Sequence, residues 1–223
     1  MACDRDLLVA ARAPSEAGRR TDAVGKNLLE AFSDGVLAII ITISVLELRT
    51  PHGSGLSALW SEKAIFLTYV LSFANLGIYW NNHHHMLAVT ERVTGGILWA
   101  NMYLLFWLSL FPFVTGWMGH NPRAAVPTAT YGVVLLMAGG AYYLLQWLIV
   151  RSQGPGSVLA AAIGRDLKGK ASPTIYAVAV VTAFFEPLIA IGLYAVVAFM
   201  WLVPDRRIER VLAARGQAGG RSG

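Results

Sequence analysis

Charge is scarce in this chain. Only 14% of its 223 residues are Asp, Glu, Lys or Arg, against 56% hydrophobic, where a soluble domain carries roughly 25% charged residues. The deficit is concentrated in windows of about 20 residues, the length a helix needs to cross a ~30 Å hydrocarbon core. A soluble globular domain is therefore excluded, and an all-α polytopic membrane protein is expected. Cysteine is scarcer still: Cys3 stands alone, so no disulfide framework forms within one chain. The first 25 residues lack the basic, apolar, small-residue order of a signal peptide, so the first hydrophobic segment should be retained. There is no Gly-x-Ser-x-Gly elbow, no HxxxH or HExxH motif and no nucleophile–base pair, so neither an enzyme nor a cofactor is expected. A Thr-Val-Gly-Tyr-Gly run is also missing, which removes the usual ring of carbonyls that strips potassium of water. Thr115-Gly116-Trp117-Met118-Gly119 ends an apolar span and does not replace it.

What is present is a series of apolar segments: 27–48, 59–80, 96–118 and 126–150, then a basic linker from Arg151 to Lys170, which holds a short apolar patch at 158–163, and a 33-residue stretch from Ala171 to Val203. That stretch is long for one crossing and short for two. Glu186-Pro187 divides it, because proline ends or breaks a helix. Spans at 171–185 and 187–203 result, six in all, in a membrane domain over residues 26–204 between polar tails at 1–25 and 205–223. The net charge of +5 reads as topology and not as a nucleic-acid surface. Cytoplasmic loops are rich in Lys and Arg, and fifteen of the eighteen basic residues fall in the two tails, at Lys26 beside the first of them, in the linker and at Arg92. Both termini are thus expected in the cytoplasm of a cell-membrane protein, with the bilayer as partner.

The first segment carries the constellation with chemical content. Asp34 lies just inside a membrane helix, where a charge is costly and must face protein, water or a partner. Ser33 and Asp34 can also serve the orphan N–H groups of the helix start. Beyond them Ile39, Thr42, Ile43 and Leu46 share a face at i, i+3, i+4, i+7 spacing. Glu47 follows at the outer end, either collecting cations or pairing with Arg49. Adjacent histidines on a helix point about 100° apart, so His83, His84 and His85 are not expected to hold a metal. One or two of them are expected to bond Ser33 or Asp34, since segment one starts where segment two ends. Trp60, Trp80, Trp117, Tyr131, Trp147 and Trp201 fall near span ends, as an interfacial belt would.

The run Ala31-Phe32-Ser33-Asp34-Gly35 resembles the signature opening the first helix of the prokaryotic relatives of the endosomal and lysosomal potassium channel. Tyr79-Trp80-Asn81-Asn82-His83-His84-His85, Asn101 to Pro112, and Trp201-Leu202-Val203-Pro204-Asp205-Arg206-Arg207 resemble further stretches of that family in order. The resemblance covers Lys26 to Arg210. It implies a homotetramer of six-helix subunits with a central pore lined by helix one, conducting K+ ions in preference to sodium. It implies a hydrophobic constriction at Ile39, a filter threonine at Thr42 and a next layer at Ile43 or Leu46. Phe32, Ser33, Asp34, Trp80, His83 and His84 would form a supporting polar motif. Leu28 stands where the family's pattern has an arginine, and Lys26 is the nearest basic residue. The competing class is a secondary transporter, which would use broken helices and charges at mid-membrane; Glu186 beside Pro187 is the one candidate, and it falls at an outer turn.

Overall fold

The computed structural model describes residues 16–154, 157, 159–160 and 167–202. The C-terminal tail, most of the N-terminal tail, and part of the basic linker with most of its apolar patch lie outside the described residues. All regular structure among the described residues is helical: α1 Glu16–Ser44, continued by a 3-10 turn Val45–Glu47; α2 Leu56–Ser61; α3 Lys63–Ala88; α4 Gly95–Ser109; α5 Phe111–His120; α6 Ala125–Gln153; α7 Leu167–Thr182; and α8 Pro187–Leu202.

Three departures from the expected boundaries have local causes. The second apolar segment begins later than expected, because α2 ends at Ser61 and α3 begins at Lys63. It also ends later, since the Asn/His run stays helical. Asn82 Nδ2 donates back to the Ile78 carbonyl at 3.0 Å, and no glycine or proline interrupts before Thr90, whose hydroxyl donates to Met86 O at 2.9 Å. The third segment is one apolar rod, Gly95–His120, kinked at Leu110. Pro112 has no N–H to continue the ladder and crowds the carbonyl four residues back, so the Leu110 N–H bonds Trp107 O in a tighter turn at 3.3 Å. The 33-residue stretch breaks before Pro187 as expected, but α7 starts at Leu167, four residues back in the basic linker, and stops at Thr182, three short of the expected end, so α7 and α8 are each sixteen residues long. Pro187 opens α8 at the first helical position, where a missing N–H costs nothing. Each of those helices is about 24 Å long at 1.5 Å per residue.

Three described helices are long and apolar enough to cross a bilayer: Gly25–Glu47, Gly95–His120 and Ala125–Gln153. The shorter Pro187–Leu202 is apolar too. The Asn and His residues of α3 lower its hydropathy.

α1 packs on α3, α4 and α5, while α6 is the hub for α4, α5, α7 and α8. The interior is aromatic at its centre, with Phe111, Tyr131 and Tyr194 fully buried. Their polar atoms are satisfied inside the bundle, as a membrane interior demands. Thr115 Oγ1 donates to Ser72 Oγ at 2.7 Å, Ser72 Oγ meets Tyr131 Oη at 2.9 Å, and Tyr194 Oη donates to Thr128 O at 3.1 Å. Gly132 lets the Tyr194 ring lie on α6, because a Cβ there would stand 2.6 Å from Tyr194 Cζ and 2.8 Å from Val180 Cγ2.

Candidate functional site

α1 has two faces with different chemistry. Leu29, Ser33, Leu37, Ile40 and Ser44 are buried against the helix's own chain. Both serines satisfy themselves along the helix, Ser33 Oγ donating to Leu29 O and Ser44 Oγ to Ile40 O, each at 2.8 Å. The opposite face carries Phe32, Ile39, Thr42, Ile43 and Leu46, all exposed on the single chain. Ile39 retains 57% of its accessible surface and Leu46 retains 77%. Along the helix Thr42 stands about 4.5 Å beyond Ile39, and Leu46 about 10 Å beyond it. The Thr42 hydroxyl donates to the Ile39 carbonyl at 2.9 Å. Its hydrogen is thereby occupied, while the oxygen's lone pairs stay free on the exposed face, the polarity that suits a cation.

At the other end of α1 a set of polar ties fixes the helix. Trp80 Nε1 donates to Asp34 Oδ1 at 3.0 Å, and the His84 ring stacks on Trp80 with centroids 6.1 Å apart. His83 is buried and does not bond Ser33 directly. Asn101 on α4 stands between them: its Nδ2 donates to Ser33 Oγ at 2.9 Å, and its Oδ1 lies 2.7 Å from His83 Nε2. Since the amide nitrogen is spent on Ser33, the amide oxygen accepts, and His83 must carry its proton on Nε2. The expectation that a histidine bonds Ser33 or Asp34 is thus corrected: Trp80 takes the aspartate, and Asn101 relays to the serine. The signal for Asn101 was present in the sequence, a lone amide in the middle of an apolar helix, which must find a partner in lipid. Lys26, the nearest basic residue to the missing arginine, donates through Nζ to Ala88 O at 2.6 Å. It caps the last turn of α3, where the helix dipole favours a cation.

Among the described residues no three His, Cys, Asp or Glu side chains are grouped to hold a metal ion. His83 turns to α4 and His84 to Trp80. At the far end of α1, Glu47 is half-buried with its carboxylate lodged against Gly116 of α5, where a Cβ would collide with it. Ile39, Ile43, Glu47, Arg49, Gly116 and His120 all line one open cavity of about 900 Å³ between α1 and α5.

The model of the family described as endosomal/lysosomal potassium channel TMEM175 matches residues 28–112, the part holding α1, α3 and α4. A potassium channel of Chryseobacterium sp. is 51% identical over 187 residues, which cover 84% of this chain and 97% of that one. The chain belongs to the TMEM175 family. The fold agrees: the crystal structure of a lysosomal potassium-selective channel TMEM175 homolog from Chamaesiphon minutus superposes with a TM-score of 0.72 at 26% identity, over 82% of this chain and 98% of that one. The human endosomal/lysosomal proton channel TMEM175 is more distant, 25% identical over 141 residues that cover 56% of this chain and 28% of the human one. This is a family of membrane ion channels and not of enzymes.

Proposed function

We propose that the chain is a potassium channel in which four copies meet around α1, with Ile39 as the hydrophobic neck, Thr42 as an oxygen-bearing layer beside it, and Ile43 and Leu46 lining the wider outer part. K+ is the permeant ion. Six spans cross the cell membrane, with the basic tails and linker at the cytoplasmic face. The observation that carries this reading is the unpartnered branched-apolar stripe on α1, opposite a face that is fully packed. A narrow ring of isoleucines sorts ions by how readily they lose water, and potassium holds its hydration shell less tightly than sodium. Such a ring also gates by dewetting.

The test is planar-bilayer recording of the purified protein under potassium/sodium gradients. Ile39→Ala should widen the neck, raising conductance and lowering selectivity. Ile39→Asn should wet it, removing closures that depend on dewetting. Currents identical to those of the parent in both variants would remove Ile39 from the conduction path. Flux that saturates with substrate or requires a counter-ion would point instead to a transporter.

A further inference from the structure

A second cavity, of about 420 Å³, opens to the subunit surface between α3, α6, α7 and the end of α8, away from the exposed face of α1. It sits toward one end of the bundle. Lys170 is in the first turn of α7, Gln146 is two turns from the end of α6, and Trp201 is in the last turn of α8. This is also the end at which Lys26 ties α1 to the last turn of α3.

Two glycines open this cavity. At Gly119, by contrast, a glycine admits a neighbour: it lies so close to α3 that a Cβ would stand 2.9 Å from the Ile65 Cα, whereas Gly35, Gly77 and Gly192 are open but do not line this cavity. Gly139 and Gly140 behave differently. A Cβ at Gly140 meets nothing within 4 Å, and one at Gly139 meets only the Tyr79 hydroxyl at 3.7 Å. Two consecutive glycines in mid-helix cost about 1 kcal/mol each relative to alanine, and here they return no close packing. What they leave is open volume.

The lining suits an amphiphile. Tyr79 and Tyr176 form apolar walls, and Asn82 and Gln146 supply amides. Among the described lining residues Lys170 alone is charged, and none is acidic. The floor is closed by a hydrogen bond from Trp201 Nε1 to Ser172 Oγ at 2.9 Å. Apolar-walled cavities of this size with a few convergent polar groups are typical ligand sites, and basic pockets between membrane helices on the cytoplasmic side recognise anionic lipid heads.

We propose that this cavity binds a lipid-like amphiphile with one anionic head, the head resting on Lys170 with the amides of Asn82 and Gln146, and an acyl chain lying along Tyr79 and Tyr176 in the space left by Gly139 and Gly140. The site is separate from the pore, so binding does not depend on the ion that the chain conducts. The anion can be a phosphodiester or a carboxylate.

The test is native mass spectrometry of the purified full chain titrated with phosphatidylglycerol, phosphatidylcholine or oleate. Phosphatidylglycerol, oleate or both should bind at one saturable site per subunit, at least tenfold tighter than phosphatidylcholine. Which of the two binds identifies the head as phosphodiester or carboxylate. Lys170→Gln should weaken that binding at least tenfold, and Gly140→Leu, which puts a branched side chain where a Cβ meets nothing within 4 Å, should abolish it. Arg151→Gln is the control, because Arg151 stacks on Trp147 nearby but does not line the cavity. Phosphatidylcholine binding as well as the anionic lipids, no saturable binding, or binding indifferent to both Lys170→Gln and Gly140→Leu would overturn the proposal.

Discussion

The Ser33–Asn101–His83 relay can be tested by replacing Asn101 with leucine, which keeps the branched heavy-atom shape and removes both hydrogen bonds. In membrane interiors such bonds average about 0.6 kcal/mol each, so their loss alone accounts for about 1 kcal/mol. The larger cost is the orphan. Asn101 and His83 are both buried, and the His83 Nε2–H, 2.7 Å from the lost oxygen, has no other partner among the described residues. Leaving such a donor unmet costs about 1–3 kcal/mol. Ser33 is not orphaned, because its hydroxyl still donates to Leu29 O. Asn101→Leu should therefore destabilise the subunit by about 2–4 kcal/mol, roughly 4–16 °C in midpoint for a chain of this size. His83→Phe in the same background removes the orphan, and replacing both partners by apolar groups is close to neutral. The double variant should then be more stable than Asn101→Leu alone, giving a favourable coupling of about 1–3 kcal/mol in a double-mutant cycle. The assay is unfolding of the reconstituted protein, followed by tryptophan fluorescence or helix content. Strictly additive losses would mean that the two side chains do not act as a unit, and the relay would be refuted.

Four shorter tests follow from the same geometry. Thr42→Val keeps the shape of the layer beside Ile39 but removes its oxygen, so potassium conductance and potassium-over-sodium preference should fall in bilayer recordings while expression and melting stay unchanged. Lys26→Met removes the cap on Ala88 O and should cost about 0.5–1 kcal/mol by the scale of helix-end charge effects, read as a lower melting midpoint. Gly119→Ala forces α5 away from the α3 backbone at Ile65 and should cost about 1–3 kcal/mol as overpacking. Gly116→Ala meets the flexible end of Glu47 first, so stability should barely change while low-salt conductance shifts with the displaced carboxylate; equal melting losses in the two glycine variants would contradict this.

Much of this architecture was legible because lipid imposes strict rules. The absence of charge located the apolar segments, and Pro187 located the break between α7 and α8, since proline is best accommodated in the first turn of a helix. The limits of α3 were harder to read. A run of Asn and His looks like a loop by polarity, yet nothing in it breaks a helix, and Asn82 folds its amide back on its own turn. The kink at Leu110 was written in Pro112, but hydrophobicity alone hides it, because the residues on both sides are apolar. The partners of Ser33 and Asp34 were the least legible. Sequence places them near the end of α3 but gives no helix rotation, and rotation decides that Trp80 meets Asp34 while His83 reaches Ser33 only through Asn101.

Rotation of α1 is also what the proposed pore depends on. Successive residues on a helix differ by 100°, so turning α1 by one residue would carry Ile39 off the exposed face and bring Ile40 or Ala38 toward it. The exposed stripe offers that turn little resistance, because Ile39 and Ile43 meet the same chain only along the edge that faces the cavity beside α5. Resistance comes from the buried face and from three ties at one end: Asp34 to Trp80, Ser33 to Asn101, and Lys26 to the end of α3. At about 0.6 kcal/mol each for bonds within the membrane, the ties alone amount to about three times RT, and exposing buried Ser33 and Ser44 while burying Ile39 adds to that. The side chains proposed to narrow the conduit and the Ser33 and Asp34 ties that hold it in register thus lie on different faces of one helix, so damage to those ties should disturb ion selection about two turns away without touching Ile39 or Thr42. Trp80→Phe tests this effect: it deletes the indole donor to Asp34 and keeps an aromatic ring beside His84. It should alter the potassium/sodium permeability ratio while Ile39 and Thr42 remain intact, and a ratio identical to the parent's would show that this tie does not set the register of α1.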